Sequence, residues 1–214
     1  MNKHKVYGKG STNTMKLALV ILAAVVGIAI VGYLGYVWYV NDVEQPEYGA
    51  VVQDGDFEIR DYPPMVMAEV TSSGDRRDAV SKGFRPLASY IFASERKGDK
   101  IAMTAPVTQT PEAEGATDWS VRFIMPSEYS LDTLPKPAGA DVRLVEAPAQ
   151  RRAAVRFSGH ATDESLAEQE ARLRTWLQAR GIEPQGPPTF AYYNAPFTPG
   201  FLRRNEVLFD VPNS

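Results

Sequence analysis

The segment Leu17–Val40 runs for 24 residues without a charged side chain, and it limits what this chain can become more than any other stretch. At ~1.5 Å rise per residue a helix of that length reaches about 36 Å, enough to cross a hydrocarbon core about 30 Å thick with some tilt. A cleaved signal peptide has an apolar run of only about 7–15 residues followed by a small-x-small cleavage site. Here the run is longer and ends in Tyr36, Trp38 and Tyr39. With Tyr33 these aromatics make an interfacial belt on the exit side, while Lys3, Lys5, Lys9 and Lys16 sit on the entry side and Asp42, Glu44 and Glu47 follow the exit. Lysine-rich flanks stay in the cytoplasm. The pattern predicts a basic cytoplasmic N-terminus over 1–16, a single-pass anchor over 17–40, a connector over 41–47 and a domain over 48–214. In a bacterium that domain would be periplasmic, held at the inner membrane. The lipid bilayer is therefore an expected partner. Gly27, Gly32 and Gly35 would let helices approach closely, so self-association or a membrane-protein partner is a further expectation.

Residues 41–214 hold 19 basic and 26 acidic residues. An acidic balance argues against nucleic acid as a partner, because phosphate binding needs a basic face. The chain has no cysteine, which excludes disulfides, cysteine nucleophiles, iron–sulfur clusters and thiolate zinc sites.

Beyond the connector, alternation at Phe57-Glu58-Ile59-Arg60 predicts a strand that breaks at Pro63-Pro64 and resumes from Val66 to Val70. Asp75 can cap a following helix, on which Val80, Phe84, Leu87 and Ile91 share one face. Pro86 removes a backbone donor and crowds the Lys82 carbonyl, so a kink or break is expected near Lys82–Arg85. Strands are predicted at Lys100–Gln109 and Trp119–Met125. A second round starts near Val142, with a strand pair broken at Pro148 and running to Phe157. A helix over Asp163–Ala179 follows, with Asp163 and Glu164 at its start and Gly181 beyond its end. Final strands are predicted at Thr189–Tyr193 and Glu206–Val211.

The two rounds superimpose at an offset of 85 residues, which matches Pro63 with Pro148, Ala68 with Ala153, Val70 with Val155, Ser73 with Ser158, Gly74 with Gly159 and Thr104 with Thr189. Those identities fall in the same strand-helix-strand-strand order, so an internal duplication over about 57–126 and 141–212 is the economical reading. Two such repeats make a pseudo-twofold α+β body with a cleft between them, where small ligands usually bind.

Five blocks resemble the SOUL heme-binding proteins. They are Phe57-Glu58-Ile59-Arg60-Asp61-Tyr62 with Pro64, Gly83-Phe84-Arg85-Pro86-Leu87-Ala88-Ser89-Tyr90-Ile91, Lys100-Ile101-Ala102-Met103-Thr104-Ala105-Pro106-Val107, Phe157-Ser158-Gly159 and Arg203-Arg204-Asn205-Glu206-Val207. They lie in family order over about residues 47–212. The resemblance implies a distorted, partly closed antiparallel β-barrel of two β-α-β-β type repeats flanked by two helices, with heme or another tetrapyrrole as cofactor. The apolar anchor lies outside it. Some members carry a histidine two residues after the conserved proline as the proposed iron ligand. Val66 stands there in this chain, so the resemblance implies no histidine ligand by that route. In other members the porphyrin lies beside the first helix and the loop before the last strand, which points here to Val80–Ile91 and Asn194–Arg204.

A heme presents a large apolar plate and two anionic propionates, so its site needs apolar walls and rim cations. On that basis the candidate binding residues are Lys82, Phe84, Arg85, Tyr193, Phe197, Arg203 and Arg204, with Tyr192 and Phe201 as further walls. Met65, Met67 and His160 are weaker candidates. The plainer alternative has Tyr193 and Phe197 in the core and the arginines paired with Glu206, Asp210 or other acids. His160 is the only histidine beyond the anchor. It can ligate iron, but its position at a helix entry fits an ordinary, partly exposed residue. No Gly-x-Ser-x-Gly elbow, catalytic residue or metal site is identifiable. The sequence therefore predicts a membrane-anchored heme or tetrapyrrole binder that carries or buffers heme and is not an enzyme. The alternatives are an interaction subunit of a membrane complex and a hydrolase-like enzyme acting on an apolar molecule.

Overall fold

The computed structural model describes residues 11–213. Lys3, Lys5, Lys9 and His4 lie outside the described residues. The chain divides into two units, residues 1–42 and 43–214.

In the first unit, helix α1 spans Ser11–Asn41. Over Met15–Tyr39 it is long and apolar enough to cross a membrane. It is apolar on every side, as a helix surrounded by lipid is.

The second unit is α+β. Its described residues form β1 (Gly49–Asp54), β2 (Phe57–Tyr62), β3 (Met65–Ser73), α2 (Arg76–Ile91), β4 (Val107–Pro111), β5 (Asp118–Ile124), β6 (Arg143–Ala147), β7 (Gln150–Phe157), α3 (Asp163–Gln178), β8 (Gln185–Tyr192) and β9 (Asn205–Asp210). All nine strands join one antiparallel sheet in the order β1-β2-β7-β9-β8-β4-β5-β3-β6. The sheet does not close into a hydrogen-bonded barrel, because β1 and β6 remain as edges.

The duplication explains this order. Apart from β1, repeat one contributes β2-β3-α2-β4-β5 and repeat two β6-β7-α3-β8-β9. Each repeat gives its first strand to the other, since β2 pairs with β7 and β6 with β3. The pseudo-twofold runs between β4 and β8. Gly74 and Gly159, matched by the 85-residue offset, both hold positive φ (128° and 103°). This conformation costs glycine least, and both residues stand where a strand turns into the following helix.

Alternation along the strands sorts their side chains onto two faces. On one face, Ala68, Val70, Val121 and Phe123 pack under α2 with Leu87 and Ile91. Ala153, Val155, Val207 and Phe209 pack under α3 with Leu166, Leu173 and Leu177. The other face, called the inner face below, carries Ala154, Ala191, Tyr193 and Leu208. The helices meet at their first residues, where Arg76 Nε bonds Asp163 Oδ1 at 2.6 Å. Arg76 also donates to the Tyr192 hydroxyl and the Ala161 carbonyl.

Several local expectations change. α2 runs through Pro86 as one helix, so of the kink or break expected near Lys82–Arg85 the break does not occur. Asp75 caps it, accepting from the Asp78 amide at 2.9 Å. α3 opens with Asp163 and Glu164 in its first turn as expected, and Thr162 caps it in a reciprocal box with Ser165. Of the strand expected over Lys100–Gln109 only Val107 onward joins the sheet. Residues 100–106 instead include the cis Ala105-Pro106 bond and a single bridge from Thr104 to Glu44. Residues 43–47, expected as connector, bond to this unit: the Ala105 amide donates to the Glu44 carbonyl at 2.9 Å, and the Ser127 amide to Glu44 Oε1 at 2.7 Å.

Candidate functional site

The sequence-predicted residues fall into three groups. The first lies on the inner face. Strand alternation turns Met65 and Met67 of β3 toward a small crevice that Tyr193, Tyr62, Arg122 and Arg152 also line. Next to it, Glu206 of β9 is wholly buried and Arg60 of β2 is 1% exposed. Arg60 grips this carboxylate at both oxygens, Nη1 to Oε2 at 2.7 Å and Nη2 to Oε1 at 3.0 Å. Arg204 adds Nε and Nη2 bonds to Oε1 at 3.0 and 2.7 Å, and the Tyr193 hydroxyl donates to Oε2 at 2.8 Å.

The electrostatics follow from this crowding. Burial opposes ionisation of Glu206, but the hydrogen bonds and charge of Arg60, joined by those of Arg204, outweigh it and hold the carboxyl below its ordinary range. Burial, reinforced by the Glu206 charge, pushes the Tyr193 phenol up. Arg204 is thus committed to Glu206 and its guanidinium also lies 3.9 Å over the Tyr193 ring. The plainer alternative for Tyr193 and Arg204, core packing and an acid partner, describes what is seen.

The second group is the loop between β8 and β9. Phe197, Phe201 and Leu202 are exposed there, Phe201 at 76%. The loop is ordered from within. Arg203 Nε donates to the Thr198 carbonyl at 2.7 Å, its Nη2 donates to the Pro196 carbonyl, and a 3-10 turn covers Gly200–Leu202. The exposed His160 abuts that turn, for a Cβ placed on Gly200 would lie 3.2 Å from its Nε2. The Gly159 amide donates to the Gly200 carbonyl at 2.9 Å. Phe197, Arg203 and His160, chosen separately from the sequence, are therefore brought together with Phe201.

The third group lies on α2, where Lys82 and Arg85 are exposed and Phe84 is partly covered on the sheet-facing side. Phe84 meets Phe123 edge-on at 5.2 Å. Sequence reasoning did not single out Arg60, Glu206, Tyr62 or Leu202 as site residues. Arg60 and Glu206 were signalled all the same, since they sit in two of the blocks that carry the family resemblance, and the fold joins those blocks. Among the described residues no group of three or more His, Asp or Glu side chains is placed to hold a metal ion.

Comparison with known proteins agrees with the geometry. The chain is 35% identical over 165 residues to Heme-binding protein 2 of Homo sapiens, covering 73% of this chain and 78% of that protein. Two solved structures share its fold. One is a hydrolase from Listeria innocua (TM-score 0.55, 11% identity, 76% of this chain and 94% of that one). The other is the EcmrR C-terminal domain (TM-score 0.54, 14% identity, 78% and 99%). Residues 43–210 match the model of the SOUL heme-binding proteins, which spans both repeats and both helices of the second unit. The chain belongs to the SOUL heme-binding protein family.

Proposed function

We propose that this chain is a membrane-anchored tetrapyrrole binder that carries or buffers heme beside a bilayer without altering it chemically. Family membership supports the ligand class. The observation that carries the site is the β8–β9 loop, where Phe197, Phe201 and Leu202 stay exposed on a turn ordered by Arg203. Exposed apolar side chains on one ordered loop are a surface suited to meet an apolar plate. In this reading the grip rests on the apolar side chains, and the exposed His160 beside Gly200 is not needed as a ligand. The anchor is the apolar helix α1, and the preceding lysines and terminal aromatics favour a cytoplasmic N-terminus and an extracytoplasmic domain, at the inner membrane if the cell is bacterial.

The test is a hemin titration of residues 41–214, followed by the Soret band and tryptophan quenching. We expect a saturable one-to-one shift. Phe201→Asp should weaken it roughly 10- to 100-fold, the worth of one buried phenylalanine. Arg203→Ala, which frees the loop, should weaken it too, and His160→Ala should keep it. Arg85→Ala reports whether the α2 cations meet the propionates. An absent or unsaturable shift, or full binding by Phe201→Asp, would remove the carrier reading.

A further inference from the structure

A second cleft, of about 370 Å³, opens beside the inner face of the sheet and carries charge of the sign opposite to a heme rim. Residues 43–47 cross this part of the domain as a strap, pinned by the backbone and side chain of Glu44. The Gln45 side chain accepts from Arg204 Nη1 at 3.1 Å. The strap forms one wall, and β3, the Pro63-Pro64 corner and the segment after β5 form the others. The lining is mixed, with Met65, Val66, Met125 and Tyr129 as its apolar part and Gln45, Thr104 and Ser127 as its neutral polar part. Glu44 and Glu47 are its only charged residues. No lysine, arginine or histidine lines it.

Glu44 and Glu47 are both exposed, so their charge acts through solvent, yet with no cation in the lining it still disfavours an anion such as a heme propionate. They favour a cation that also has apolar surface to bury. A ring face and polarisable thioethers suit a large, weakly hydrated cation better than a small hydrated one. The volume falls in the range of small-molecule sites. We infer that this strap-walled cleft is a separate binding site for an aromatic monocation of the quaternary ammonium class.

The test uses the full chain in nanodiscs of zwitterionic lipid, with empty discs as blank, and calorimetric titration of three naphthalene probes. One carries a trimethylammonium group, one the uncharged tert-butyl isostere and one a sulfonate. The cationic probe should bind saturably and about tenfold more tightly than the neutral one, and the sulfonate should not bind. Glu47→Gln combined with Glu44→Gln, which preserves shape and an acceptor for Ser127, should abolish the preference for charge while leaving neutral-probe binding in place. Equal affinity for the three probes, an unchanged preference in the double variant, or no binding would each overturn the assignment. Phe201→Asp, which tests the heme loop, should leave these titrations unchanged, so either reading can fail without the other.

Discussion

Two glutamates on this sheet, Glu206 and Glu69, are each held between two arginines, one of which comes from the strand donated by the other repeat. Glu206 lies between Arg60 of β2 and Arg204, and Glu69 of β3 between Arg143 of β6 and Arg122. The ion-pair lengths are alike, 2.7 Å for both Glu206 bridges and 2.5 and 2.6 Å for those of Glu69. Burial is not. In the Glu206 cluster the Arg60 and Arg204 side chains are 2% and 21% exposed, whereas Arg122 and Arg143 are 26% and 60% exposed, so the contrast rests on Arg60 against Arg143. Distance therefore says little about what each cluster contributes. A buried cation left without its partner cannot recruit water, while one at the surface turns outward and is solvated.

The largest expected effect comes from Glu206→Gln, which removes the carboxylate shared by Arg60 and Arg204 and leaves the buried Arg60 with Glu58 as its acid partner. It should lower unfolding free energy by about 2–4 kcal/mol in denaturant titrations of the solubilised protein. Glu69→Gln should cost less, about 1–2 kcal/mol, because both arginines reach solvent. If the two substitutions cost the same, burial is not what separates the clusters. A pH series sharpens the contrast. The Glu206 carboxyl is held below its ordinary range in the folded protein. The stability it contributes is therefore present above the unfolded value of about 4.3 and is lost as pH falls through the lower folded value. Wild type should lose stability more steeply below about pH 4 than Glu206→Gln. Asp54, held low by its bonds from Trp176 and Arg180, and Asp61, held low by Arg151, sustain the remaining slope in both proteins. The smallest effect belongs to Arg143→Ala, within about 1 kcal/mol of wild type and smaller still at high salt. A larger loss would show that the edge strand β6 depends on that pair.

These clusters also mark where the sequence stops being readable. Helices α2 and α3 follow from apolar spacing and capping residues, and the duplication from paired prolines and glycines, because these are local rules. Alternation in Phe57–Arg60 places Ile59 and Arg60 on opposite faces, but it does not say that both faces are covered. A charged position in a strand ordinarily faces water, so Arg60 and Glu206 read as solvent-facing until the sheet order buries them. Nor does alternation name a strand's neighbour, and for that reason the exchange of β2 and β6 between repeats had no local signature. β1, whose side chains are mostly exposed, gave no pattern to find. In the loop, neighbouring Arg203 and Arg204 are chemically identical in sequence. Only the turn before β9 separates them, one bracing loop carbonyls and the other neutralising Glu206.

The exchange of first strands also sets the order in which the molecule can be completed. Arg60 and Glu206 are 146 positions apart in the chain, and β2 finds its place only once β7 is available, with β9 completing that side of the sheet. Sheets assembled from such distant partners close slowly, because the entropy of loop closure is spent before the contacts reward it. During synthesis the first repeat must therefore wait, with its central strands incompletely paired, until the strands of the second repeat have emerged. The interval before β9 arrives is when this protein would most need protection from aggregation.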